Sequence, residues 1–73
     1  MTRQQEFYYT ATKRMRERIK ANEKIIKEGG PKNDFIARRK SIEDMNKYYK
    51  QLLRRFADDP EALEWLRKGW LAN

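Results

Sequence analysis

From Tyr8 this chain places an apolar or small residue at alternating steps of four and three: Tyr8, Thr12, Met15, Ile19, Asn22 and Ile26. After a Gly29-Gly30-Pro31 break the alternation resumes at Phe35, Arg38, Ile42, Met45, Tyr49, Leu52 and Phe56, with Leu53 widening the line. A helix of 3.6 residues per turn brings such positions onto one face, so each line is the seam of a helix that packs against another helix. That pattern outweighs the composition, whose 40% charged and 38% hydrophobic residues would by themselves suit a disordered chain.

Local signals set the expected ends. Thr2 and Gln5 form a capping-box pair, and glycine followed by proline ends the first helix, giving about residues 3–28. Asn33-Asp34 offers a cap and a carboxylate for the first turn of a second helix over about 34–57. Asp59-Pro60-Glu61 combines an N-cap, a proline at the first helical position and an acid, which starts a third helix over about 60–71. Leu63, Leu66 and Trp70 mark one face of it with Trp65 beside them, and Gly69 is expected to fray its end. The fold class is therefore all-α: one small domain, 1–73, in which two long helices form an antiparallel hairpin and a short C-terminal helix packs on them.

A two-helix hairpin cannot cover its own seam. The third helix can close one end, and dimerisation into a four-helix bundle would cover the rest. A monomer is expected if that helix folds back and a homodimer if it does not. Two seam residues are polar. Asn22 either fixes register or is solvated near the hairpin end, and Arg38 either snorkels outward, forms an ion pair or meets a bound anion.

The chain has no Cys and no His, which removes disulfides, the usual zinc frameworks and the commonest general base. Its single serine, Ser41, has no histidine to activate it. Gly29-Gly30-Pro31 joins two helices, whereas a phosphate-cradling loop joins a strand to a helix. Glu43-Asp44 lies on a solvated helix face and Asp58-Asp59 is cap chemistry. No enzyme activity and no cofactor or metal are expected. No apolar run approaches the roughly 20 residues of a membrane span, and no hydrophobic stretch follows the N-terminus. The expectation is a soluble cytoplasmic protein with no membrane partner.

Of the 18 Lys and Arg, 16 lie in residues 1–57 against 7 acids, net +9, whereas residues from Asp58 onward hold 2 basic and 4 acidic residues, net −2, and both tryptophans. Such an excess attracts polyanions. At 100° per residue, Lys13, Arg16, Lys20, Lys24 and Lys27 share a stripe about 80° wide that also holds Tyr9, so that several phosphates could be met in sequence while the ring stacks on a base. Arg38-Arg39-Lys40, with Lys32 and Lys27, adds a cluster at the hairpin turn. Lys40, Lys47, Lys50 and Arg54 share a further arc on helix two. The alternative is a solvated face paired with Glu17 and Glu23. A second flank of helix one carries Phe7, Arg14, Arg18 and Ile25, the composition of a protein interface. Trp65 and Trp70 suit either core closure or partner contact.

The layout resembles the Rop family, short helical-hairpin proteins that dimerise and bind paired RNA hairpins in plasmid copy control. Aligned without gaps, Met1-Thr2, Gln4, Arg16, Glu28, Tyr49, Leu53, Arg55-Phe56 and Asp58-Asp59 coincide, and the seam of helix one falls on the family's core positions. The resemblance implies a hairpin, a homodimer and an RNA partner. Where that family grips RNA with Asn, Phe, Gln and Lys, this chain has Thr10, Arg14, Arg18 and Ile25. The second seam is offset by a residue and the third helix has no counterpart, so the likeness is one of architecture and no family is assigned.

Two functions follow as expectations. The first is a small basic, non-enzymatic nucleic-acid-binding module or regulator that uses the Lys/Arg faces of the hairpin. The second is a protein-binding regulator or inhibitor that docks on an acidic surface of nucleic-acid machinery, such as the RNA polymerase of transcription or a nuclease.

Overall fold

The capping box at the N-terminus closes in both directions: the Gln5 backbone N–H donates to Thr2 Oγ1 at 3.1 Å, and the Thr2 N–H donates to Gln5 Oε1 at 2.9 Å. In the computed structural model, which describes residues 1–72, helix α1 (Arg3–Lys27) grows from this cap. It ends in a Schellman motif. Gly29 takes φ 77°, the Gly30 N–H donates to the Ile25 carbonyl at 3.0 Å, and the Gly29 N–H donates to that of Ile26 at 3.3 Å.

Helix α2 (Phe35–Arg55) starts differently from the sequence expectation. Asp34 already has helical backbone angles and its carboxylate caps nothing; a 3-10 turn over Lys32–Asp34, held by the Asp34 N–H on the Pro31 carbonyl at 3.1 Å, leads the chain in. Pro31 sets this entry by fixing its own φ near −54°. Helix α3 (Pro60–Leu71) starts as its residues dictate, with Asp59 Oδ1 accepting the Ala62 N–H at 3.1 Å.

Helix α1 is the central element, and both α2 and α3 pack on it. The antiparallel register of α1 and α2 is marked at one end by Tyr8 edge-on to Phe56, with ring centroids 5.1 Å apart. At the other end Arg38 Nη1 donates to Asn22 Oδ1 at 2.9 Å. Helix α3 runs parallel to α1, because Gln5 pairs with Glu61, Tyr9 meets Trp65, Thr12 meets Gly69 and Arg16 meets Trp70, in that order along both helices. It therefore covers one side of the hairpin and only the end nearest the termini.

This placement explains the burial. Every seam residue of α1 is buried or half-buried, and Tyr8, Thr12 and Ile19 are buried outright. Every seam residue of α2 is half-buried and none is fully covered. Tyr8, Ala62 and Leu66 form the core, with Leu52, Leu53, Phe56 and Trp65 packed around them. Burial of apolar side chains of this size contributes roughly 1.5–3 kcal/mol each, so α3 supplies much of what the hairpin lacks.

Gly69 does not fray. It is buried where α3 crosses α1, and a Cβ there would fall on Thr12 Oγ1 and the Tyr9 carbonyl oxygen. The small residues Ala62 and Gly69, seven apart, let α3 approach the α1 backbone. Thr12, also fully buried, satisfies its hydroxyl on its own helix by donating to the Tyr8 carbonyl at 3.1 Å.

Candidate nucleic-acid interface

The cations of α1 divide where α3 stops. Toward the N-terminus, Lys13 lies 5.7 Å from the Tyr9 ring centroid and Arg16 lies 5.3 Å from that of Trp70. Tyr9 is half-buried and meets Trp65 edge-on at 6.3 Å, so the aromatic end of the stripe is used inside the fold and is not a free stacking platform. Beyond α3, Lys20, Lys24 and Lys27 are exposed along α1, Lys32 is exposed in the 3-10 turn, and Arg39 and Lys40 are exposed in the first turns of α2.

Lys24 Nζ is 4.0 Å from Glu28 Oε1, both well exposed, a pair of marginal strength in water. Among the described residues Lys20, Lys27, Lys32, Arg39 and Lys40 form no ion pair with a carboxylate. Residues 20–43 hold 7 basic and 4 acidic side chains, net +3, on the part of the molecule built of two helices alone. The other 49 residues hold 11 and 7, net +4. The charge density is therefore higher at the turn than over the rest of the chain taken together, because the carboxylates of α3 and its N-terminal connection offset cations at the opposite end.

Arg38 departs from its neighbours by turning inward. It is half-buried, bonds to Asn22 across the hairpin, and leaves its Nε buried without a hydrogen-bond partner among the described residues. Asn22 is thus a register pin rather than a solvated end residue. Among the described residues no carboxylate pairs with this guanidinium, so its charge adds to the positive potential of the turn. Arg38 acts through that field and through the hairpin register, while Lys20, Lys24, Lys27, Lys32, Arg39 and Lys40 present the cationic surface.

The residues that sequence reasoning grouped as a partner surface do not lie together. Phe7, 68% exposed, shares a flank of α1 with Arg14 and Arg18, away from α3. Ile25 is half-buried against the Gly30 turn. Trp65 and Trp70 are on the α3 side. Trp65 carries Lys68 Nζ 4.4 Å from its ring centroid, and Trp70 stacks on Tyr49 with centroids 4.0 Å apart and planes 4° from parallel. Trp70 consequently ties all three helices together, through Arg16 on α1 and Tyr49 on α2. Burial pushes the Tyr49 phenol above its usual range, with Arg67 opposing the shift.

The Trp70 stack and the Gly69 contact escaped the sequence reading. The readable signal for Gly69 was the Ala62/Gly69 spacing of one heptad on the face bearing Leu66. No comparable pattern announces a tryptophan stack. Among the described residues no three His, Cys, Asp or Glu side chains converge as a metal site would require, and no helix is long and apolar enough to cross a membrane. Neither a protein-family model, a curated protein nor a solved structure matches the chain.

Proposed function

We propose that this protein is a small non-enzymatic nucleic-acid-binding module whose contact surface is the turn end of the hairpin. The observation that carries the reading is the set of exposed cations Lys20, Lys27, Lys32, Arg39 and Lys40, without carboxylate partners among the described residues, on the two-helix end that α3 leaves bare. Spread over two helices and the turn between them, they suit the spaced phosphates of a nucleic-acid backbone better than a single small anion. Backbone contact of this kind positions a protein without reading sequence.

The test is the salt dependence of binding to labelled duplex DNA, RNA hairpins and single strands, followed by fluorescence anisotropy. Five phosphate contacts give a log–log slope of about −4.5 on duplex DNA, a loss of roughly 500-fold between 50 and 200 mM salt. Replacing Lys20, Lys27, Lys32, Arg39 and Lys40 by Gln flattens that slope, whereas Gln at Lys47, Lys50 and Arg54 leaves most of it. A flat slope in the native chain, or equal loss in both variants, refutes the assignment.

A second reading rests on Phe7, exposed beside Arg14 and Arg18. It makes the protein a regulator that docks through that flank on an acidic surface of nucleic-acid machinery such as RNA polymerase or a nuclease. One stoichiometric partner retained after nuclease treatment and lost with Phe7→Asp supports it over the first.

A further inference from the structure

Among the described residues the most exposed large apolar side chain is Ile36, at 81%. It stands in the first turn of α2, and at 100° per residue the seam residues Arg38, Ile42, Met45 and Tyr49 fall about 180–240° round the helix from it. Ile36 therefore points away from α1. A lone exposed aliphatic is ordinary on a protein surface, but the surroundings of this one set it apart. Residues 32–40 hold four basic side chains and one acidic, net +3. Ile36, Arg39 and Lys40 line one shallow depression, and Lys32 is exposed one turn earlier. None of these three cations is in an ion pair among the described residues.

The nearby carboxylates bound this patch. Asp34, two residues earlier with helical backbone angles, falls roughly 160° round the axis from Ile36. Glu43 and Asp44 line the far part of the same depression, about 10–12 Å farther along the helix. Cations thus ring the isoleucine at the turn end only. An apolar tip within such a ring fits a polyanion that is charged outside and apolar inside, as stacked bases between phosphates are. A single strand is gripped by rings on which its bases stack. Phe35 is the only ring in residues 20–43 and is half-buried, and exposed Tyr48 lies about 18 Å along α2 from Ile36. Duplex DNA is opened instead by an aliphatic wedge that enters a base step from the minor groove and kinks it. The wide, shallow minor groove of duplex RNA is met through its shape and its 2′-hydroxyls.

We infer that the cationic turn binds duplex DNA in the minor groove and inserts Ile36 between two base pairs, kinking the duplex, while Lys32, Arg39 and Lys40 hold the flanking phosphates. The inference rests on the nucleic-acid reading above and narrows its ligand to a deformable DNA duplex. Ile36 suits the task because a β-branched side chain on a helix already keeps one rotamer. Its insertion then loses little side-chain freedom. The wedge also gives a backbone-binding protein a sequence preference, for the TA and CA/TG steps that unstack most readily.

The test uses the full chain and end-labelled DNA duplexes of roughly 20–30 base pairs with a central TA step. Energy transfer between the ends reads the kink, and anisotropy reads the affinity. The native chain is expected to shorten the end-to-end distance. It is also expected to bind a centrally bulged duplex at least about tenfold tighter than the paired one, because the step is already unstacked. Ile36→Ala removes no charge and keeps the salt slope to within about one unit, yet it loses the kink, and its preference for the bulge falls to about threefold or less. Ile36→Met, which restores an apolar tip, recovers both, and circular dichroism checks that the helices persist in each variant. A flat salt slope in the native chain removes the underlying reading, and the wedge falls with it. A steep slope without a kink, a kink that Ile36→Ala retains, or tighter binding to a single strand or an RNA duplex than to bulged DNA leaves the cationic site standing and overturns the wedge. Binding to phosphatidylserine vesicles that Ile36→Ala abolishes, with the DNA unbent, assigns the patch to a lipid surface and overturns it likewise.

Discussion

Replacing Gly69 by Ala sets two physical effects of opposite sign against each other. On helix propensity alone the change stabilises, since Gly in a helix interior is about 0.8–1 kcal/mol worse than Ala. The tertiary contact reverses this. The new Cβ falls on the Tyr9 carbonyl oxygen and Thr12 Oγ1, well inside van der Waals contact. The first of these is backbone and cannot rotate away, so α3 must move off α1 by about 1 Å. A gap of that size forfeits roughly a quarter to a half of the dispersion energy of the contacts it opens, and overpacking of this type costs about 1–3 kcal/mol. Subtracting the propensity gain leaves a net loss of up to about 2 kcal/mol, which for a domain of this size lowers Tm by up to roughly 15 °C. Urea and thermal unfolding, followed by far-ultraviolet circular dichroism and by tryptophan fluorescence, measure it. Thr12→Ala in the same background relieves only part of the loss, because the Tyr9 carbonyl remains. A Gly69→Ala chain more stable than the native one by the full propensity gain of about 0.8–1 kcal/mol refutes the close approach of α3 to α1.

Asn22→Ala removes the partner of a half-buried guanidinium whose Nε is already unsatisfied, and a loss of about 1–3 kcal/mol is expected in denaturant unfolding. The double variant Asn22→Leu/Arg38→Leu, which replaces both polar groups, recovers most of it; equal losses in the two proteins would show that the pair holds nothing. Tyr49 gives a pH signature. Its folded pKa is raised by burial, so the neutral phenol is favoured in the folded state, and its contribution is intact below the unfolded value of about 10 and lost as pH rises through the folded value. The native chain is expected to lose stability in that alkaline window while Tyr49→Phe loses less; identical pH profiles would contradict it.

What was legible in the sequence is what local chemistry decides. The Thr2/Gln5 box, the Gly29 left-handed turn and the Asp59-Pro60 start each rest on interactions within a few residues, and each forms as its residues dictate. The two seams were equally readable, because periodicity is set by helix geometry whatever the partner. Asn33-Asp34 shows the limit: a good cap sequence goes unused because Pro31 and the 3-10 turn deliver the chain to α2 already in helical geometry. For the candidate site, the cationic residue types and their stripe were visible, but two members changed role. Tyr9 and Arg16 became α3 contacts, which no helical wheel of α1 alone can show.

By itself, then, the sequence determined three helices, their order, an antiparallel hairpin and a basic surface. The tertiary structure decided which side of that hairpin α3 occupies. That choice rests on Gly69 meeting Thr12 and the Tyr9 carbonyl, on Ala62 packing with Tyr8 and Leu66, and on Trp70 finding a flat partner in Tyr49. Steric fit between distant segments depends on the distance and angle between helices, quantities that periodicity leaves open. From that one placement follow the bare cationic turn and the buried glycine.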